Sequence, residues 1–321
     1  MEKLNKKVFS RIGFSLVGIQ ITSLLLQIIL ILVLNTAFGG TKWLEDSSAA
    51  IMLVSFIPMY AAAFPVGIWG LKKLPTVKGE TATLSAGQLV KYALFCMPVM
   101  YVGNIIGTLL SGVLSGGQAT NMVEELLTGQ IGIEILFIVI LAPFFEEYVF
   151  RKLLIDKTIR FGEKTAVIFS ALMFGVFHGN LFQFFYTFGI GLIWGYIYVK
   201  TRTFSYVFCL HALFNFMGGI LPSMLMNLLG EEGMKALETM DMAVLETMPF
   251  EIMVYGLYTL VLLLLVIAGA VLLLKNRREF ALEEKELEEE NRITVKTVWL
   301  NPGMIIFSVM ILATFIYALF S

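Results

Sequence analysis

The sequence predicts an all-α, polytopic transmembrane helix bundle of about nine spans, or eight if the last apolar run does not cross. Three observations predict it. Hydrophobic residues make up 58 % of the 321 and charged residues only 15 %, with a mean hydropathy of +0.84. No soluble core with a solvated surface fits that balance. Apolar runs of the ~20 residues needed to cross a bilayer recur along the chain. The basic residues, finally, fall into alternate connections, as the positive-inside bias requires.

Taken in order, the apolar runs are 12–38, 50–71, 89–115, 131–151, 165–179, 181–199, 205–229, 252–274 and 303–320. The first follows MEKLNKKVFSR, a basic lead-in like that of a signal peptide. Its apolar stretch is too long for such a segment and lacks a small-residue cleavage site, so it reads as a span. With the N-terminus in the cytoplasm, nine alternating spans put 21 of the 23 lysines and arginines inside, leaving Lys42 and Lys235 outside. A wrong count would scramble that segregation. The expected location is the plasma membrane, with a multi-pass chain and a cytoplasmic N-terminus.

Three connections are more than turns. Residues 116–130 read as a polar outer loop. Residues 230–251 mix Met234, Leu237, Val244, Leu245 and Met248 with acids, the pattern of an interfacial amphipathic helix or of a loop packed over the bundle. Residues 276–298 are a charged inner helix or linker, read as a solvated face. The chain then divides into 1–130 with three spans, 131–230 with the chemistry, and 231–321 with the amphipathic segment, the eighth span, the linker and the terminal span. GNIIG (Gly103, Gly107) and GLIWG (Gly191, Gly195) have the spacing that lets helices approach closely.

The polar residues that matter are few. PFFEEYVFR at 143–151 carries Glu146, Glu147 and Arg151 at the end of an apolar run. Ionised groups at that depth cost roughly 2.5–3.5 kcal/mol each on insertion scales and mark functional sites. Glu147 and Arg151 are four apart, the favourable order for a same-face ion pair. At 100° per residue Glu146 lies well round from that pair. The two histidines of the chain, His178 in FGVFH and His211 in HALFN, fall in runs flanking the acidic one, with Phe174 and Asn215 four residues away on the same faces. A carboxylate, two imidazoles and an amide suit a base, proton shuttles and oxyanion donors, and equally suit metal ligation.

Other chemistries are not written here. There is no HExxH, no G-x-S-x-G serine and no phosphate-cradling loop, hence no nucleotide is expected. Asp46, Asp156 and Asp241 lie near run ends or in loops, against an intramembrane aspartate pair. A net charge of −1 offers nothing to nucleic acid. Cys96 and Cys209 have no metal or disulfide spacing and read as buried small hydrophobes.

EEYVFR at 146–151, FGVFH at 174–178 and HALFN at 211–215 together resemble the EExxxR, FxxxH and HxxxN motifs of the CAAX protease and bacteriocin-processing family, which includes the type II CAAX prenyl endopeptidases. All three occur in order on successive runs, covering roughly 131–230. The resemblance implies an intramembrane endopeptidase acting on membrane-associated or lipid-modified peptides and proteins, whether prenylated C-termini, bacteriocin leaders or signalling peptides. It implies Glu146 as the general base activating water, assisted by His178, with His211 and Asn215 holding the oxyanion. Glu147, Arg151 and Phe174 support the site. A metal-free glutamate mechanism is the reading taken. The alternative is zinc on Glu146, His178 and His211, three ligands on three helices, without the paired histidines that preset a site in HExxH enzymes.

One length does not fit upright helices. At 1.5 Å per residue His178 lies about 21 Å from Lys164, and the GNLFQ that follows is short and apolar for an exposed loop. The fifth and sixth runs are therefore expected to tilt or to form a hairpin turning inside the membrane, around a polar intramembrane cavity. Two rivals share the composition. A proton-coupled transporter also uses buried Glu, His and Arg, but calls for repeat symmetry that is not visible. A non-catalytic scaffold or immunity protein that retains the motifs is separated from a protease by assay.

Overall fold

The computed structural model describes residues 2–38, 48–121, 130–282 and 291–320, and among these there are helices and no strands. We number the main helices α1 (Glu2–Phe38), α2 (48–72), α3 (Ala86–Ser115), α4 (131–158), α5 (Glu163–Phe177), α6 (Leu181–Thr201), α7 (Phe204–Thr239), α8 (Pro249–Lys275) and α9 (Pro302–Phe320). All nine apolar runs are thus helical. Seven of these helices are long and apolar enough to cross a membrane: α1, α2, α3, α6, α7, α8 and α9. The count of nine crossings is not established, because α5 has only 15 residues and α4 changes helical type along its length.

The interruptions have a cause in the sequence. π-Helical turns occupy Met59–Ala63 in α2, Ile135–Leu141 in α4 and Phe216–Ile220 in α7. Each is followed, two residues on, by a proline: Pro65, Pro143 and Pro222. Proline cannot donate to the carbonyl four residues back and its ring crowds it. That carbonyl lies within the π turn each time, where the ladder has shifted to i→i+5 bonding. A fourth π turn, Tyr148–Ile155, follows the glutamates without a proline.

The ends are set by ordinary capping. Ser85 and Gln88 form a capping box at the start of α3, and Gly116 in the left-handed region closes it. The Asn180 side chain caps α6, and the Asn301 Oδ1 accepts from the Met304 amide at 3.1 Å at the start of α9.

Close approaches hold the helices together. α3 lies against α6 at the GNIIG sequence: a Cβ on Gly103 would stand 2.5 Å from the backbone of Tyr186, and one on Gly107 would meet the carbonyl of Leu181. α5 and α6 pack antiparallel as a hairpin. At 15 residues α5 is about 22 Å long, short of the ~30 Å hydrocarbon thickness, and its turn uses Gly179 at φ +71°. The expected hairpin is present, with Asn180 capping the helix that follows the turn. α9 crosses α1 at Gly13 and Gly303, where the Gly303 amide donates to Ser10 Oγ at 3.1 Å. It also reaches the hairpin: Phe315 meets Phe184 with ring centroids 6.0 Å apart, and a Cβ on Gly179 would lie 2.6 Å from Thr314 Cγ2.

The segments expected on one side of the membrane gather at one end of the bundle. The connection after α2 is stitched to the ends of α4, α6 and α7. The Val77 amide donates to the Asp156 carbonyl and the Ala82 amide to the Thr201 carbonyl, both at 2.8 Å, and the Leu84 amide donates to Tyr206 Oη at 3.0 Å. Arg202 pairs with Asp156 at 2.8 Å, and Lys91 with Glu279 at 2.7 Å.

Three sequence expectations change. The start of the charged linker is docked, not solvated: Glu279 also accepts from Tyr92 Oη at 2.9 Å, and Phe280 packs on Tyr92, Phe95 and Tyr196. Residues 283–290 of that linker and 122–129 of the outer loop lie outside the described residues. The 230–251 stretch is not one amphipathic helix. Gly230 (φ 65°) breaks α7, Met240 ends it in the left-handed region, and a short helix Met242–Leu245 follows. Cys96 is buried as expected, but Cys209 is exposed on α7.

Candidate active site

The site is built where α4, α5, α6 and α7 meet. In α4 the helical segment Ala142–Glu147 lies between two π turns and carries both glutamates at its C-terminal end. Glu147 and Arg151 form the expected i,i+4 pair, Nε to Oε2 at 3.1 Å, with both side chains fully buried. Two opposite charges removed from water need further partners; Glu147 has a hydrogen bond and Arg151 aromatic faces, while Nη1 and Nη2 of Arg151 make no hydrogen bond among the described residues. Glu147 Oε1 accepts from His211 Nδ1 at 2.9 Å. The Arg151 guanidinium lies 4.1 Å from the Phe174 ring centroid and 5.6 Å from that of Trp194, on the faces that attract cations. Gly191 makes the room: a Cβ there would stand 3.4 Å from Arg151 Nη2.

His211 joins what the plain helical wheel kept apart. Its Nδ1 faces Glu147, while its Nε2 lies 3.8 Å from Glu146 Oε2. One imidazole therefore stands between the two adjacent carboxylates. Since Glu147 can only accept, the proton on Nδ1 is assigned and Nε2 is turned toward Glu146. Glu147 thus has His211 as a second partner besides Arg151.

Phe174 is the spacer. It meets His178 edge-on with centroids 5.0 Å apart, His211 at 5.6 Å and the Arg151 guanidinium on its face. Its own carbonyl takes His178 Nδ1 at 2.9 Å, which leaves Nε2 of His178 as the available nitrogen. Asn215, one turn beyond His211, donates through Nδ2 to the Ile138 carbonyl at 2.8 Å, a group inside the π turn of α4. One N–H of that amide is left over. The exposures differ in a useful way: the Glu146 side chain keeps 15 %, His211 5 % and Glu147 none. Glu146 is the carboxylate left open to a reactant. These side chains form a polar cluster with Glu146 as its open edge. Beside it a groove of about 490 Å³ runs between α2 and α4, lined by Pro65, Ile68, Trp69, Lys72, Phe144 and Tyr148.

Among the described residues no three His, Cys, Asp or Glu side chains are gathered to hold a metal ion. Nδ1 of His178 and of His211 is taken, by the Phe174 carbonyl and by Glu147, which leaves Nε2 of each as the nitrogen a metal would use.

Sequence reasoning missed three aromatic residues here. Trp194 stacks within 4.8 Å of the His211 centroid; its position in GLIWG was visible, but only as a packing motif. Tyr60, in the π turn of α2, is enclosed by Phe56, Phe64, Phe137 and Phe145, the last of these next to Glu146 in the chain. Tyr186 of α6 accepts from Gln183 Nε2 at 3.2 Å, and Gln183 lies one turn beyond the Asn180 cap. No spacing marked either tyrosine.

Residues 128–217 match the family model described as type II CAAX prenyl endopeptidase Rce1-like. The membrane-embedded CAAX protease MroQ of Staphylococcus aureus (strain USA300) is 28 % identical over 188 residues, covering 53 % of this chain and 73 % of that protein. No solved structure matches the chain. The region that carries the buried site is thus similar to the CAAX proteases.

Proposed function

We propose that this protein is an intramembrane endopeptidase that hydrolyses peptide bonds of membrane-associated or lipid-modified substrates with a water activated by Glu146. The observation that carries it is the single imidazole of His211 set between two carboxylates, one buried against arginine and one open. Glu147 is spent on Arg151 and His211, so Glu146 is the group free to take a proton. Water attacks the carbonyl carbon, and its proton passes to Glu146. His178, whose Nε2 is available, orients the attacking water. The oxyanion is held by His211, which Glu147 orients through Nδ1, and by the spare N–H of Asn215. Glu146 then hands the proton to the amine as the C–N bond breaks, leaving a carboxylate and an amine. The apolar groove beside Phe144 and Tyr148, with Lys72 in its wall, supports a substrate presented from the membrane.

The test is cleavage by purified protein of a quenched-fluorescence peptide ending in farnesyl-cysteine and three further residues, with products identified by mass. Cleavage at one internal bond, persisting after metal analysis finds no stoichiometric zinc, is the expected result. Activity lost on exhaustive chelation and restored by zinc alone would overturn the metal-free step. Substrate-driven proton flux without cleavage would favour the transporter reading.

The same proposal places the N-terminus and the stitched end of the bundle in the cytoplasm, in the plasma membrane. In a background with Cys96 and Cys209 replaced, cysteines at Thr120 and Glu238 should react with an impermeant reagent in intact cells. A cysteine at Thr76 should react only after permeabilisation. Labelling at Thr76 in intact cells would invert the topology.

A further inference from the structure

We propose that Pro143 is a positioning residue for Asn215: by offering no N–H it frees the Ile138 carbonyl, which holds the Asn215 amide. The inference rests on the endopeptidase reading, in which Asn215 holds the oxyanion, and adds a residue outside the three motifs. It starts from the hydrogen-bond ladder of α4. In a π turn each amide donates to the carbonyl five residues back. At the end of the turn Ile135–Leu141 the Ala142 amide does so, to Phe137. The next donor in that register is residue 143, and its acceptor would be Ile138. Residue 143 is proline and has no proton to give. The α-helical donor to Ile138 would be the Ala142 amide, which is already spent on Phe137. Neither ladder therefore supplies the Ile138 carbonyl, at a depth where an unpaired backbone group is costly.

Asn215 takes that place. Its Nδ2 donates to the Ile138 carbonyl at 2.8 Å, from α7 to α4. A carbonyl can only accept, so the atom facing it is the amide nitrogen, and a flipped amide would lose the bond. The second N–H of Nδ2 is thereby turned away from Ile138 in a fixed direction. Asn215 lies four residues after His211 in the regular helix Phe204–Asn215, so both side chains share one face. A flipped amide would offer that face an oxygen, which repels an oxyanion. The same arithmetic recurs in α7 with a different partner. There the π turn Phe216–Ile220 ends with the Leu221 amide on the Phe216 carbonyl, and Pro222 follows. The carbonyl five residues before Pro222 is that of Met217, and the Tyr258 hydroxyl of α8 donates to it at 3.2 Å. Two prolines each release one carbonyl, and a polar side chain from another helix takes each. At Ile138 that side chain belongs to the site.

The test uses the full-length protein and the farnesyl-cysteine peptide. Pro143→Ala returns an N–H to α4, and Ile138 then gains a helical donor in either register, from residue 143 or from Ala142. Alanine is much the better helix former, so the melting temperature should hold or rise. The kcat should nonetheless fall about 10-fold or more, up to the roughly 10²–10³-fold of a lost oxyanion donor, with KM within about two-fold. The acid limb of the pH profile, which reports the base, should stay in place. Pro143→lactate, made by cell-free synthesis, separates the proton from the ring: its backbone ester carries alanine's methyl and no N–H. Its kcat should return toward the wild-type value. Asn215→Ala should be slow by itself, and Pro143→Ala should add little to it. Wild-type kcat in Pro143→Ala overturns the proposal. So does a lactate variant as slow as the alanine one, since the ring would then matter and not the missing proton. A Pro143→Ala loss that adds in full to that of Asn215→Ala also overturns it, because Pro143 would then act through another group. If wild-type protein cleaves nothing, the endopeptidase reading fails and this inference with it. If Asn215→Ala is slow and Pro143→Ala is normal, this inference fails alone.

Discussion

Glu146→Gln is expected to leave the protein folded and to lower peptide cleavage by 10²–10⁴-fold, the usual worth of a general base, and more if no other group activates the water. Glutamine keeps the shape and one carbonyl oxygen, and Glu146 is not part of the buried ion pair, so the melting temperature should hold. The 3.8 Å approach to His211 Nε2 survives as a polar contact without charge. Product formation measured at enzyme excess, beside a thermal melt in the same detergent, separates chemistry from folding. Should Glu146→Gln keep full activity while Glu147→Gln is folded and dead, the two carboxylates have exchanged roles.

Arg151→Met has the opposite profile, a loss of stability first. It leaves Glu147 fully buried with His211 as its remaining ionic partner. Stranding one half of a buried ion pair costs about 3–5 kcal/mol, more than most single substitutions. Methionine retains contact with Phe174 and Trp194, so packing loss is a minor part of the change. A thermal melt followed by tryptophan fluorescence should show a large drop. The double variant Arg151→Met/Glu147→Gln should recover much of it, because replacing both charges removes the desolvation cost along with the attraction. A single variant that melts with the wild type, or a double variant no better than the single, would mean that the pair does not hold the site together.

The motifs were legible because charge in hydrocarbon is conspicuous. Two acids, an arginine and both histidines of the chain fall in apolar runs, and residues four apart share a helical face. What could not be read is how those faces turn toward each other. The 100° wheel applied to Glu146 and Glu147 assumed one regular helix. Pro143 and the π turns on either side make α4 something else, and both carboxylates reach His211. The prolines were visible in the sequence; the i→i+5 turn placed two residues before each was not sought. Tyr60 and Tyr186 escaped for a plainer reason: an aromatic residue in a membrane helix looks the same whether it faces lipid, core or substrate.

By itself, then, the sequence determined an all-helical membrane chain, the nine helical runs within it and the Glu147–Arg151 pair. Those follow from local quantities: transfer free energy summed along a run, and angular spacing within one helix. Only the tertiary structure decided that one imidazole bridges both glutamates, that Phe174 separates two histidines and an arginine, and that the charged linker begins as a docked segment. It also decided that a glycine pair in α3 positions a tyrosine in α6. These are contacts between residues far apart in the chain, set by helix rotation and crossing, and side-chain chemistry read along one helix carries no record of either.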